Sequence, residues 1–229
     1  MIQVAISDVV TTACPDLHVA VLFCEVQNSL SDVELWDEIS DSELKIRATE
    51  KLENINKFRP IQATRQAYKC FGKDPNRYRP SAEALRRRIL RGLPLYKIDT
   101  LVDIINLVSI KTGYSIGGFD ADKIQGDLIL GVGRKGEIYH GIGRGDLNIE
   151  GLPVYRDNCG GVGTPTSDEE RTKIDLKTTR LLMIINAYSG LSGLKEAVDF
   201  SSKLLKKYVS ARKMEAMIIS GDNKNKIML

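Results

Sequence analysis

Histidine is nearly absent from this sequence: His18 and His140 are the only two in 229 residues. Four scattered cysteines (Cys14, Cys24, Cys70, Cys159) form no C-x-x-C pair, so neither a zinc site nor a disulfide framework can be read from spacing. No metal and no cofactor is expected. A Ser-His-Asp assembly is hard to build from so few histidines, which disfavours covalent nucleophilic catalysis. No apolar run approaches the ~18 residues of a membrane-spanning helix, and the N-terminus lacks the basic start and long apolar core of a signal peptide. The expectation is a cytoplasmic protein with no membrane partner. A net charge of +3 is too small to argue for nucleic acid by itself, so that case must rest on local clustering.

What is present is an ordinary globular composition, 42% apolar and 28% charged, in a chain long enough to bury a full core. Its organising stretch is Leu93 to Gly126. Asp99 or Thr100 can cap a helix there, Asp103 completes a capping box with Thr100, and Gly113 can close the helix in a left-handed conformation. Leu101, Val102, Ile104, Ile105, Leu107, Val108 and Ile110 leave no wide polar face, which predicts burial on most sides. Asp103 and Asn106 interrupt it on one side and must be hydrogen-bonded or serve a site.

Upstream, Met1 to Ile6 and Leu17 to Val26 read as strands expected to pair with each other. Ser31 and Glu34 form a capping-box signature for a helical region that continues, in charged sequence, to about Lys57. Pro60 opens another helix, ended by Gly72. The composition then turns basic, with Lys69, Lys73, Arg77, Arg79, Arg86, Arg87, Arg88 and Arg91 close together. A helix from Pro80-Ser81 to Gly92 carries four of those arginines away from a stripe of Ala82, Leu85 and Ile89. Such a cluster is either a solvated face or a phosphate-contacting one.

Downstream, Tyr114 to Phe119 is a predicted strand broken at Gly117-Gly118, where backbone can approach a ligand closely. Asp120 and Asp122 follow. Leu128–Val132 and Glu137–His140 read as a hairpin, Leu152 to Tyr155 as a short strand, and 156–173 as a long glycine-rich loop offering Asp157, Asn158, Thr164, Thr166, Ser167, Asp168 and Arg171. Gly131, Gly133 and Gly136 match G-x-G-x-x-G, but a strand rather than a helix is predicted after them, which rejects a dinucleotide fingerprint. Leu176–Tyr188 is predicted as an apolar helix, Leu194 to Tyr208 as an amphipathic one, and the tail beyond Ser220 as frayed.

RYRPSAEALRRRILRGLP, LVDIINLVSIKTGYSIGGFDADKIQGDL, GEIYHGIGRG and TPTSDEERTK resemble the third and fourth domains of the phenylalanyl-tRNA synthetase beta subunit, most of all the freestanding versions of that module. The resemblance covers about residues 60–188. It implies an α/β unit of the α+β type, a central mixed sheet with packed helices. It divides the chain into a strand/helix extension packed on the module (1–59), the module itself (60–220) and a disordered tail (221–229). It implies tRNA or aminoacyl-tRNA as partner, and hydrolysis in trans of a mischarged aminoacyl ester. The alternative is a module that binds tRNA or an amino acid without chemistry. Ligase activity is not expected, because nothing of the ATP-binding catalytic subunit is matched.

The family's pocket asparagine falls at Asn106. Where bacterial synthetases have a threonine before it this chain has Ile105, and where they have a histidine before the Phe-Asp pair it has Gly117, so two polar groups are replaced by an apolar, roomier wall. Asn106, Gly117 and Gly118 are the candidates for positioning water and ester, an already activated bond that needs no covalent nucleophile. Asp103, Asp120, Thr164, Thr166 and Asp168 are candidates for the substrate pocket, with an aspartate holding the amino group. Arg77, Arg79, Arg86, Arg87 and Arg88 are candidates for the tRNA backbone. His140 has the chemistry of a general base, but its place in the predicted hairpin favours a surface role.

Overall fold

The computed structural model describes residues 2–220 and 226–228. Along them run β1 (Val4–Ile6), α1 (Asp8–Ala13), β2 (His18–Glu25), α2 (Val33–Thr49), a 3₁₀ turn (Leu52–Lys57), α3 (Arg59–Cys70), α4 (Ser81–Leu90), α5 (Thr100–Thr112) and β3 (Ser115–Asp120). Then come β4 (Leu128–Val132), β5 (His140–Gly141), β6 (Gly145–Asp146), β7 (Pro153–Asp157), β8 (Gly160–Gly163), β9 (Arg180–Ala187), α6 (Leu194–Val209), β10 (Arg212–Ser220) and β11 (Lys226–Met228). No helix among the described residues is long and apolar enough to cross a membrane.

The strands form two sheets and a small ribbon. One sheet is antiparallel in the order β11-β10-β2-β9-β3; the other is mixed, β1-β4-β7-β8, with β1 parallel to β4. Side chains alternate along β2 and β9: Ala20, Leu22, Leu181, Met183 and Ile185 face the helices, while Val19, Val21, Leu182 and Ile184 face the mixed sheet. The molecule is thus a stack of helices, antiparallel sheet and mixed sheet, the α+β architecture expected.

Several sequence expectations fail locally. Leu176–Tyr188 is no helix: β9 occupies Arg180–Ala187. A strand covered on both faces has no polar alternation, so its apolar run has the look of a buried helix. The first two strands do not pair; β1 joins β4, and β2 lies between β9 and β10. The hairpin over 128–140 is also absent, since β4 pairs with β1 and β7, and His140–Gly141 with Gly145–Asp146. Within the expected tail, Lys226–Ile227–Met228 pair with Ile219–Ile218–Met217, while 221–225 and 229 lie outside the described residues. No helix follows Gly136, and Gly133 is required because the Ile149 carbonyl packs where a Cβ would stand.

Helix α5 forms as its caps dictate. Asp99 accepts from the Val102 N–H at 2.9 Å and Gly113 closes the helix at φ 78°. For α2 the cap is Asp32, one residue later than expected, accepting from the Leu35 N–H. Asp103 and Asn106 part company. The Asp103 carboxylate is buried and accepts from the Trp36 indole N–H at 2.7 Å and the Ile98 N–H at 3.3 Å. It is a satisfied internal group that ties α2 to α5.

The arginine helix is also more structural than its sequence suggests. Arg86 is 2% exposed; it pairs with Glu50 at 2.5 Å, donates to the Lys111 carbonyl and lies over the Phe58 ring. Arg87 and Arg65 both grip the fully buried Glu83. Burial of Arg86 is the correction to its assignment as a tRNA contact: it cannot leave Glu50 for a phosphate without uncovering a buried carboxylate-guanidinium pair.

Removing one partner of such a pair strands the other. Glu50→Ala should lower stability by about 2–3 kcal/mol in urea melts, below the range for fully buried pairs because Glu50 is partly exposed. Glu25→Ala, which breaks the exposed Lys213–Glu25 pair, should cost no more than about 0.5 kcal/mol. Equal losses for the two would contradict this account.

Candidate functional site

A cavity of about 390 Å³ opens between α4, α5, the edge strand β3 and the segment 164–174. Its walls are mostly aliphatic. Val102 and Ile105 come from α5, Leu85 from α4, Ile116 from β3 and Ile174 from the segment after β8; the glycine-rich stretch expected as one long loop over 156–173 instead contains the end of β7 and all of β8. Asn106, Thr164, Ser167, Asp168 and Lys173 supply the polar part.

Gly118 keeps the floor open. It lies on the helix-facing side of β3, like Ile116, and a Cβ there would meet the Ile105 δ-methyl and come within 3.1 Å of that of Ile174. Its N–H is donated to the Asp168 carboxylate at 3.1 Å. That bond answers the demand of an edge strand, whose outward N–H groups lack a neighbouring strand. It also means that this N–H is already engaged. Gly117 faces the opposite way, toward the Phe119 ring, and does not line the cavity.

The backbone of Asp168 is tied elsewhere: its carbonyl accepts from the Ile142 N–H, and it bridges to Gly163 at the end of β8. Burial pushes its carboxyl up to about 7, against the opposing pull of the Gly118 N–H. Asn106 is half-buried, and its side-chain amide has no hydrogen-bond partner among the described residues. A carboxylate and an unpartnered amide therefore sit in one chamber whose walls are mostly aliphatic.

Of the residues proposed from sequence, the cavity gathers Asn106, Gly118, Thr164 and Asp168. Thr164 is occupied in a turn, accepting from the Thr166 and Ser167 N–H groups. Thr166 is buried, its hydroxyl paired with the Tyr68 hydroxyl at 2.8 Å. Asp120 accepts from the Thr178 hydroxyl at 3.0 Å and faces Lys123. Asp103 serves Trp36, as described. These three belong to the scaffold and not to the chamber. His140 sits in the β5–β6 ribbon, exposed, with Nδ1 2.7 Å from Asp146. It does not line the cavity. Arg77 and Arg79 are exposed, and Arg88 donates to the Pro94 carbonyl at 2.6 Å while lying 4.0 Å from the Tyr96 ring centre.

Sequence reasoning missed Ser81, Leu85, Ile98, Ile142, Lys173 and Ile174. Five come from segments distant from α5 and β3, and a chain without an alignment offers no signal that joins them. Ser81 and Leu85, four apart on α4, were visible only as one helix face.

A family model described as the B3/4 domain matches residues 63–217. The chain belongs to the B3/4 domain family. The crystal structure of an N-terminal fragment of the phenylalanyl-tRNA synthetase beta-subunit from Pyrococcus horikoshii is similar to it, with a TM-score of 0.53 and 15% identity. That likeness, one of fold, covers 99% of this chain and 53% of the other, so the B3/4 chain spans about half the length of the structure it matches. No curated protein sequence matches it.

Two outcomes are expected of the chamber. In Gly118→Ala, the Ile105 side chain should swing into the cavity while the protein still melts cooperatively; a structure in which β3 moves and Ile105 does not would contradict the role given to Gly118. Asp168 should titrate near pH 7 by carboxyl-carbon NMR. Because the folded state then holds a proton that the unfolded chain has released, stability should fall as pH rises from about 4 to 7. Asp168→Asn should flatten that slope.

Proposed function

We propose that this B3/4 domain is a tRNA-binding module whose chamber receives the aminoacyl end of the tRNA and hydrolyses the ester of a mischarged apolar amino acid. The observation that carries the reading is the pairing of Asp168 and Asn106 at the polar part of an aliphatic chamber. An aminoacyl ester presents the same three elements: an ammonium group, a carbonyl and a side chain. Of the aspartates considered for the amino group, only Asp168 opens on the cavity. Its carboxylate is the counter-charge for the ammonium, and Val102, Ile105, Ile116 and Ile174 form the wall for an apolar side chain.

The chemistry asked of the protein is modest, since an ester needs only an oriented water and a donor for the developing oxyanion. The Asn106 amide can supply either. The Gly118 N–H cannot serve as oxyanion donor while it is bonded to Asp168. Backbone phosphates fall to Arg77, Arg79 and Arg88, and not to Arg86 or the Glu83-bound Arg87. Phosphate contacts of this kind give binding that weakens steeply with salt.

A second reading, retention of tRNA or an amino acid without hydrolysis, is favoured by one observation. No histidine or cysteine lines the chamber, and the Gly118 N–H is engaged by Asp168.

A deacylation time course with tRNAs carrying correct or near-miss amino acids decides between them. Release from one or a few mischarged species is expected, rising with pH through about 7 as Asp168 ionises to receive the ammonium. Asn106→Ala should reduce it about 100-fold or more, as for loss of a single oxyanion donor, with an unchanged melt. No release alongside salt-sensitive retention would leave the binding reading. Arg77→Glu with Arg79→Glu should weaken retention; unchanged retention would remove these arginines from the interface.

A further inference from the structure

The chamber has an apolar rim that its interior does not explain. Leu93, Tyr96 and Ile98 lie in the short connection between α4 and α5, and all three are large side chains left in solvent, Tyr96 at 65% exposure. Ile98 is itself a wall residue of the cavity. The connection is nonetheless firmly held. Leu95 is buried, the Lys97 ammonium rests 4.7 Å from the Trp36 ring centre, and the Pro94 carbonyl accepts from Arg88. An anchored strip that displays an aromatic ring is pre-organised for a partner and does not lose much freedom when it finds one.

Arg88 gives that ring its chemistry. It follows Leu85, another wall residue, by three positions and therefore shares its face of α4. Its guanidinium covers one face of Tyr96 at 4.0 Å. Unlike Arg86 and Arg87 on the same helix, it has no carboxylate partner among the described residues. The result is a flat ring, most of it exposed, with an unneutralised positive charge behind it, two residues from a wall residue of the chamber. A nucleotide offers both complements, the π-face of its base for the ring and a phosphate for the guanidinium.

We propose that Tyr96, backed by Arg88, is the stacking platform for the terminal nucleobase of the RNA whose aminoacyl group enters the chamber. This rests on the tRNA reading above and adds to it the nucleotide that is read at the mouth. Ester and base hang from the same terminal ribose, and Tyr96 stands two residues from Ile98, at most about 7 Å along the chain. The nucleotide that bears the ester is thus the one within reach. Recognition by stacking tolerates any base, so the platform senses that a terminal base is present and leaves amino-acid choice to the aliphatic wall.

The test uses uncharged tRNA with its complete 3′ end and the same tRNA lacking only the terminal nucleoside, with affinity read by fluorescence anisotropy at fixed salt. Wild-type protein should prefer the complete tRNA by about five- to 150-fold, the worth of one base–aromatic stack. Tyr96→Ala should erase the preference while leaving affinity for the shortened tRNA and the thermal melt unchanged, and Tyr96→Phe should keep it. Equal wild-type binding of the two tRNAs, or a preference that survives Tyr96→Ala, overturns the platform while sparing the tRNA reading. Wild-type protein that retains neither tRNA overturns both.

Discussion

Strands β2 and β9 are buried on both faces, and that constraint shapes everything around them. A sheet whose two central strands carry apolar side chains in both directions needs a cover on each side. Here α2, α4, α5 and α6 cover one face and the mixed sheet the other. One buried polar group ties these layers together: Asn186 on β9 accepts from the Tyr155 hydroxyl and donates to the Ser115 carbonyl, joining the two sheets and the edge strand in one network.

The chamber lies where that layering runs out. Strand β3 is the sheet's edge, and its missing neighbour is replaced by the Asp168 carboxylate and by helices that meet it at a distance. An edge N–H, a glycine without a side chain and an aspartate pressed against both leave a hollow with a charge in it. A device that satisfies the edge of a sheet also supplies the polar group of the site, so fold and chemistry are not separable at this position.

How much was legible beforehand follows from what sequence periodicity reports. The caps and apolar run of α5 were read correctly because Asp99, Gly113 and a helix-length pattern all agree locally. Strand β9 was misread because burial on two faces erases the alternation that marks a strand. Asp103 and Asn106, neighbours on a helical wheel, could not be told apart until Trp36 was seen to claim one of them. The basic helix looked like one surface, yet Glu50 and Glu83, from outside the arginine run or within its first turn, neutralise Arg86 and Arg87. In each case the deciding partner is remote in sequence, and pattern alone carries no information about it.

The pairing of β2 also governs how the chain reaches this state. His18 stands opposite Ala187 on one side and Ser220 on the other, so the innermost strand of the sheet precedes both of its neighbours by well over a hundred residues. Local contacts cannot complete this core; closure waits for segments separated by most of the sequence, which is the topology of a slow folder. During synthesis the apolar run from Val19 to Cys24 therefore emerges well before either strand that will shield it. An unpaired apolar strand of this kind is open to aggregation in that interval and not in the finished sheet.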